Sequence, residues 1–595
     1  MKDKMTKSYA IDTEEYYDDE CSISTLGNYG YCHHPDWKCY MVSISGNDGF
    51  RFADVPEKVD WEMLHGATWV MANAGFDMEV IDRLKEMGVC PKHIEPSEVF
   101  DVLDMSRYLQ QPGSLAGAAK ALLGKERSKK VRASMKGKLP SDLSEEKMKA
   151  LLDYAHDDAD DTLELWLKCG HLWPEWERRV SRLTREMCRK GLPVDIDKLN
   201  EHKATLKTLL FETRALIPWE DPVMSPKQVA TYCRSHGILP PLDMAKDSVA
   251  FAGWLEKHGA THPAVKAMSE YRRINTLAER VYTMVARTRE DGTLPFGVKY
   301  CGATATRRFS GDAGCNFHNM SREALFGVDV RKTIVAPEGF TWAVVDTTSI
   351  EPGVGSVLCK DKDTQAFLRA GGDIYEQCAR RLGFYDDPAP LKKKDKALRQ
   401  RIKPVRLGGE YGQGARGLVD YAKGYGVTFS MDEAQSMVDL FRSVEPRIVQ
   451  QWRRLDRALR DSAGHGDLTL NLPSGNTLVY RNVHYKTFPD GKTEIVATVV
   501  KGSNPIETRL WGSRLHENCC QAVARDVLCQ YILDLDDMGY DIRLTVHDEV
   551  VVLVRLETAE QDLAKIIKVM STPPKWMPSL PAGAEGFLTS AYRKG

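Results

Sequence analysis

A chain of 595 residues exceeds what one hydrophobic core can organise, so roughly two to four domains are expected, each burying its own apolar face. With 42% hydrophobic and 28% charged residues, no low-complexity tract and no apolar run long enough to cross a bilayer, the composition excludes disordered, fibrous and membrane-spanning classes. The net charge of −2 argues at first against a polyanionic partner, but basic residues concentrate from Lys392-Lys393-Lys394 to Arg401 while acids gather near 12–20 and 157–161, as a metal-dependent enzyme acting on polyanions requires.

The N-terminus carries lysines but neither an apolar core nor a small-residue cleavage site, so no secretory signal is read and a cytoplasmic site of action is expected. The 14 cysteines follow no disulfide-framework spacing and include the adjacent pair Cys519-Cys520 within a predicted helix, which predicts reduced thiols. Cys32-His33-His34 with Cys39 lacks a CxxC pair, and no zinc is assigned there.

Residues 8–170 alternate short β-rich runs such as TWVMANAGF with helical stretches such as SEEKMKALLDYAHDDADDTLELWLKC, predicting an α/β domain. Asp12 and Glu14 follow the strand-like YAI, and the period of two sends both carboxylates to one face. Asp77 closes NAGFD. Asp158 lies one helical turn after Tyr154 on the same face. Together these acids suit two divalent ions, with Tyr154 orienting a water for in-line attack on a phosphodiester. Taken singly, a DxE triplet is usually a solvated turn and an acid run usually an exposed helix face; Asp157, Asp160 and Asp161 crowd the third segment.

From about 172 to 285 the pattern is helical, with Ser225-Pro226 as cap and first-turn pair. FTWAVVDTTSIEPG then reads as a buried strand ending in Asp346, with Glu351 where the chain turns toward a helix. Residues 353–510 read as a long, largely helical insertion. Within it Arg399, Lys403, Leu407 and Tyr411 recur every four residues, a helix stripe that places two cations on triphosphate oxygens and a ring against a base or sugar. Pro404 removes a backbone donor there and is expected to kink the helix. RLTVHDEVVVLV predicts a tight hairpin with His547-Asp548-Glu549 at its tip, where charge implies a bound cation.

Two resemblances join these pieces. IDTE, NAGFD and YAHDDADDT resemble the three motifs of the DEDDy proofreading exonucleases, over residues 9–166. DTTSIE, the Arg399-to-Tyr411-Gly412 stretch and VHDE resemble motifs A, B and C of family A DNA polymerases, the group that includes the large fragment of bacterial DNA polymerase I and many phage replicases. ATRRFS with NFHNM, and ENCCQAVARD, resemble that family's primer- and template-contacting segments.

The resemblance implies a ribonuclease H-like exonuclease domain over 1–170, followed by a right-hand polymerase: helical thumb 171–285, first palm part 286–352, fingers 353–510 and second palm part 511–595. It implies that Asp12, Glu14, Asp77 and Asp158 are metal ligands beside Tyr154, and that Asp346 and Asp548 hold two Mg²⁺, with Mn²⁺ as a substitute. Arg399 and Lys403 then bind the incoming dNTP, Lys403 also donating a proton to pyrophosphate. Tyr411 and Leu407 line the nucleotide, Glu351 blocks a ribose 2′-OH, and Arg308, Asn319, Gln521 and His547 hold the primer–template junction.

Leu407 stands where that family usually has Phe or Tyr, Thr347-Thr348 replace Tyr-Ser, and Thr545 stands where a glutamine often sits. The resemblance begins almost at residue 1, with no 5′-nuclease segment before it, which favours a phage replicase; helicase or single-strand-binding partners are compatible, a membrane is not. The nearest alternatives are a single-subunit RNA polymerase, which lacks the exonuclease motifs and the counterpart of Glu351, a nuclease with an inactive polymerase module, and a non-catalytic DNA-binding protein.

Overall fold

The structure, a computed structural model, describes residues 7–128, 130–245, 248–312 and 315–593. Residues 1–6, part of the N-terminus read above as free of a secretory signal, lie outside them.

The first unit is a five-stranded sheet of β1 (Ser8–Glu15), β2 (Cys39–Gly46), β3 (Arg51–Asp54), β4 (Thr68–Met71) and β5 (Glu98–Asp101), in the order β3-β2-β1-β4-β5. β1 runs antiparallel to β2 and parallel to β4. As a central strand it is covered on both faces, which is why YAI is apolar without interruption. Alternation splits its side chains. Tyr9 and Ile11 enter a core with Val80 and Ile81 of the helix Ala74–Glu86. The opposite face, which carries Asp12 and Glu14, turns toward the helix Glu145–Cys169.

A helical region follows. Ser225 caps the helix Pro226–Ser235 by accepting from the Gln228 N–H, with Pro226 in its first turn. The helix Pro263–Arg287 packs along Ile196–Ala215.

A second sheet orders the strands Asp541–Val546, Glu549–Arg555, Phe340–Thr347 and Ala584–Thr589, all antiparallel. Phe340–Thr347 is again central: Trp342 and Val344 pack with Val546 and Val551, while Ala343 and Val345 pack with Val550, Val552 and the helix Gly512–Asp537. Both faces being buried, the strand reads as a continuous apolar run.

The helical expectation for 353–510 holds only as far as residue 462. Beyond it the strands Gly466–Asn471, Thr477–Thr487, Thr493–Lys501 and Asn504–Arg509 form a four-stranded antiparallel sheet. The reason is local. These runs alternate apolar and polar residues, and their turns carry Gly475, Gly491 and Gly502 at φ 89°, 79° and 64°, values that glycine adopts without Cβ strain. The helix Lys396–Glu410 is unbroken across Pro404.

The units are joined by polar groups that have little access to water. Asn476 accepts from the Tyr108 hydroxyl (2.8 Å) and donates to Glu177 (2.9 Å) and Asp526 (3.1 Å). Glu177 also accepts from Arg525 and from Tyr300, both at 2.5 Å. Residues nearly 370 positions apart are thereby fixed to one another.

Candidate active sites

Asp12, Glu14 and Asp158 come together with one carboxylate oxygen from each, all within 4.8 Å of one another. β1 supplies the first two and the helix Glu145–Cys169 the third. Tyr154, one turn before Asp158, hydrogen-bonds to it. Asp77 is buried in the first turn of Ala74–Glu86 and accepts from the Asn73 N–H at 3.2 Å; it lies outside the close trio but near enough to repel Asp12. Burial, then the charges of Asp158, Glu14 and Asp77, push the Asp12 carboxyl well above its usual range. Burial likewise pushes Glu14 up to about 8 and Asp158 up to about 6. A set of hard oxygen donors that is unfavourable as bare charge fits a divalent ion.

The crowded third segment is resolved by its cations. Asp161 is fully buried and takes Arg127 (2.6 Å) and Lys125 (2.8 Å); Asp157 takes Arg127 (2.8 Å); Asp160 takes Arg51 (2.6 Å) and Ser45 (2.5 Å). Asp158 alone of the four faces Asp12 and Glu14. Two groups escaped the sequence reading. Glu15, beside Glu14, is buried and pushed by burial up to about 7. Burial disfavours the Arg132 guanidinium, but Glu14, Tyr154, Glu15 and Asp12 outweigh that and hold it firmly charged. Only the acid-rich IDTEE run hinted at Glu15; nothing in its own segment marked Arg132.

In the second sheet Asp346 stands opposite Glu549 on one side and Glu585 on the other, at the end of the central strand. Val546 pairs with Glu549, leaving His547 and Asp548 as a two-residue tip, with His547 at φ 60°. The Thr347 N–H donates to the Asp548 carbonyl at 3.2 Å, which brings the tip against the strand that carries Asp346. Glu549 is wholly buried and accepts from the Tyr592 hydroxyl (2.6 Å), itself held by Arg331 (2.8 Å). A His547 ring nitrogen bonds the His318 carbonyl at 3.1 Å, next to exposed Asn319.

The stripe predicted on Lys396–Glu410 forms. Arg399 pairs with Asp373 (2.5 Å) and lies over the Tyr375 ring (4.9 Å); Lys403 lies 5.9 Å from the same ring, and no ion pair holds it among the described residues. Burial, then Arg399, hold the Lys403 ammonium below its usual range. Leu407 is half-buried. At the C-terminal end Tyr411 donates to Glu351 at 2.6 Å, and the other Glu351 oxygen pairs with Arg308 at 2.9 Å. Three distant segments therefore meet at one carboxylate. Gln521, on Gly512–Asp537, is half-buried and donates weakly to Glu517 at 3.4 Å.

Comparison with known proteins gives two family matches, "DNA polymerase family A" over residues 197–467 and "3'-5' exonuclease" over 62–173. These segments contain Asp77, Tyr154, Asp158, Asp346, Glu351 and the Arg399 stripe; Asp12, Glu14, Gln521 and Asp548 fall outside them. The DNA polymerase of Bacillus phage SP02 is 23% identical over 99% of this chain and 100% of its own length. DNA polymerase I of Aquifex aeolicus is 26% identical over 68% of this chain and 64% of its own length, so the chain spans less than two thirds of that relative. The POL domain of Pol1 from M. smegmatis, in complex with DNA primer-template and dNTP, shares the fold with a TM-score of 0.64 at 17% identity, over 99% of this chain and 96% of that one. On the two family matches and the full-length phage relative, the chain belongs to DNA polymerase family A and carries a 3′-5′ exonuclease domain.

Proposed function

We propose that this enzyme extends a DNA primer with dNTPs on a template strand and removes mismatched 3′ ends, serving phage DNA replication in the host cytoplasm. The observation that carries the reading is the meeting of Arg308, Glu351 and Tyr411 at 2.6–2.9 Å, which joins the motif-bearing helices to the primer-side hairpin. The thumb, palm and fingers divide the chain at 171–285, 286–352 with 511–595, and 353–510, behind an exonuclease domain at 1–170.

Divalent ions, which this family uses generally and which we take to be Mg²⁺ with Mn²⁺ as a substitute, supply activation of the attacking oxygen and neutralisation of the leaving one. Asp346 and Asp548 hold them for synthesis; Asp12, Glu14, Asp77 and Asp158 hold them for proofreading. Arg399 and Lys403 bind the triphosphate, Arg399 first exchanging Asp373 for phosphate oxygens. The lowered pKa of Lys403 suits it to give a proton to departing pyrophosphate. Tyr411 and Leu407 pack on the nucleotide, and Tyr411 steadies Glu351 where a ribose 2′-OH would project. Arg308, Asn319, Gln521 and His547 hold the primer–template junction through acceptors shared by all base pairs. In the exonuclease site Tyr154 orients the attacking water.

A labelled primer on a template, given Mg²⁺, tests both activities. Lengthening with all four dNTPs and shortening without them is the expected result; shortening alone under both conditions refutes the polymerase assignment.

A further inference from the structure

Below Tyr411, where the fingers helix ends against the palm, lies a cluster that neither reaction uses. Glu410 ends the helix Lys396–Glu410, His516 and Cys520 sit one turn apart on Gly512–Asp537, and Cys359 caps Ile350–Leu358. Glu410, His516 and Cys520 each present a ligand atom within 4.8 Å of the others. His516 Nε2 lies 3.6 Å from the Cys520 sulfur and 3.9 Å from the Cys359 sulfur. Tetrahedral zinc with Zn–S bonds of about 2.3 Å and Zn–N bonds of about 2.0 Å separates N and S ligands by about 3.5 Å; the Cys520 sulfur also lies 3.8 Å from Nδ1, so the ring has to turn its Nε2 edge toward the ion on binding.

Three further observations point to an ion. Glu410 is 2% exposed, and its Oε1 makes no hydrogen bond among the described residues, while its other oxygen accepts from Arg406 at 2.6 Å. Gly355 keeps the space open, since a Cβ there would collide with Glu410 Oε1 and lie 3.7 Å from the Cys520 sulfur. Charge also balances: two thiolates and a carboxylate oppose one dication and the buried Arg406 guanidinium.

We propose that Cys359, Glu410, His516 and Cys520 form a closed site for one thiophilic divalent ion of the zinc class, tying the fingers helix to the palm. On binding, each cysteine forms a metal–sulfur bond and releases its thiol proton to solvent; no oxidant or reductant is involved.

The test uses the full chain produced in zinc-supplemented medium and passed through a weak chelator that clears carboxylate-bound ions. Atomic emission should return roughly one zinc per chain for the wild type and for Asp12→Ala/Glu14→Ala, and almost none for Cys520→Ser or His516→Gln. Cobalt-loaded wild type should show thiolate-to-cobalt charge-transfer absorption that Cys520→Ser lacks. Should the variants fail to fold, X-ray absorption on wild-type protein decides: sulfur scatterers at about 2.3 Å support the site, and an all-oxygen shell overturns it. Wild type retaining no zinc and giving no cobalt–thiolate band also overturns it.

Discussion

Replacing Asp158 by asparagine should move stability and activity in opposite directions. Its carboxylate stands within 4.8 Å of those of Asp12 and Glu14, where two unit charges repel by at least about 3 kcal/mol at an effective dielectric near 20. Without metal protonation relieves both the burial of these acids and their repulsion: burial first, then Glu15 and Asp158, push Glu14 up to about 8 against the pull of Arg132. A carboxyl raised on folding stabilises the fold fully below its unfolded value, near 4.5, and loses that contribution as pH climbs through the folded one. At about 1.4 kcal/mol per pH unit, Glu14 alone withdraws up to about 5 kcal/mol from the metal-free exonuclease unit between pH 4.5 and 9. Asp158→Asn removes one of the repelling charges. In chelator at pH 9 it should recover about 2 kcal/mol and unfold about 4–8 °C higher than wild type, with a smaller difference at pH 5. With Mg²⁺ or Mn²⁺ the order reverses, because wild type gains a ligand and the variant does not. Calorimetry with and without metal, beside a mismatched-primer shortening assay, reads both effects; shortening should fall at least roughly 100-fold with extension preserved. A variant that melts lower than wild type in chelator at pH 9, or still shortens primers, refutes the reasoning.

Asp346→Ala and Asp548→Ala should each abolish primer extension while leaving shortening intact; extension retained by both removes the palm assignment. Glu351→Ala should raise the ratio of ribonucleotide to deoxyribonucleotide incorporation, and Tyr411→Phe, which loses the 2.6 Å hydrogen bond worth about 1.5–3 kcal/mol, should raise it less. An unchanged ratio in single-nucleotide kinetics for Glu351→Ala ends its role as a gate. Arg525→Met strands the fully buried Glu177 carboxylate and should cost about 3–5 kcal/mol in denaturant unfolding; a cost below about 1 kcal/mol would mean that Tyr300 and Asn476 satisfy Glu177 unaided.

The strands and helices that carry the two sites were legible because burial on both faces leaves an apolar run, and each run here ends in acids: YAI before Asp12, FTWAVV before Asp346, LTV before Asp548. Their meeting was not derivable from spacing, since Asp12 and Asp158 lie on a strand and a helix brought together by the packing of Glu145–Cys169 across β1 and β2; the family resemblance implied that step. The sheet at 466–509 was missed although its turn residues were present, because length and the helical start of the insertion dominated the reading. Pro404, which removes a backbone donor, lies in a helix that continues from Lys396 to Glu410, where Pro404 and Val405 are buried and packing outweighs the lost donor.

What sequence leaves undecided in a run of acids is settled by where the cations and hydroxyls lie. In YAHDDADDT, Asp157, Asp160 and Asp161 are each bound by Arg127, Lys125 or Arg51, and the carboxylate left facing Asp12 and Glu14 is Asp158. In VHDE a hydroxyl makes the division: Tyr592, itself held by Arg331, donates to buried Glu549, and Asp548 is left at the tip beside the end of the Asp346 strand. The partners of the spent acids come from 51, 125–127, 331 and 592, segments that no motif marks. Arg127 and Lys125 offset the cost of burying Asp161, while Arg127 and Arg51 neutralise the more exposed Asp157 and Asp160, so Asp158 is the acid of the run left with an unfavourable charge. Removing Arg127 should therefore weaken proofreading without touching a proposed ligand, by freeing Asp157 to compete with Asp158 for an ion, while Lys125 still holds Asp161.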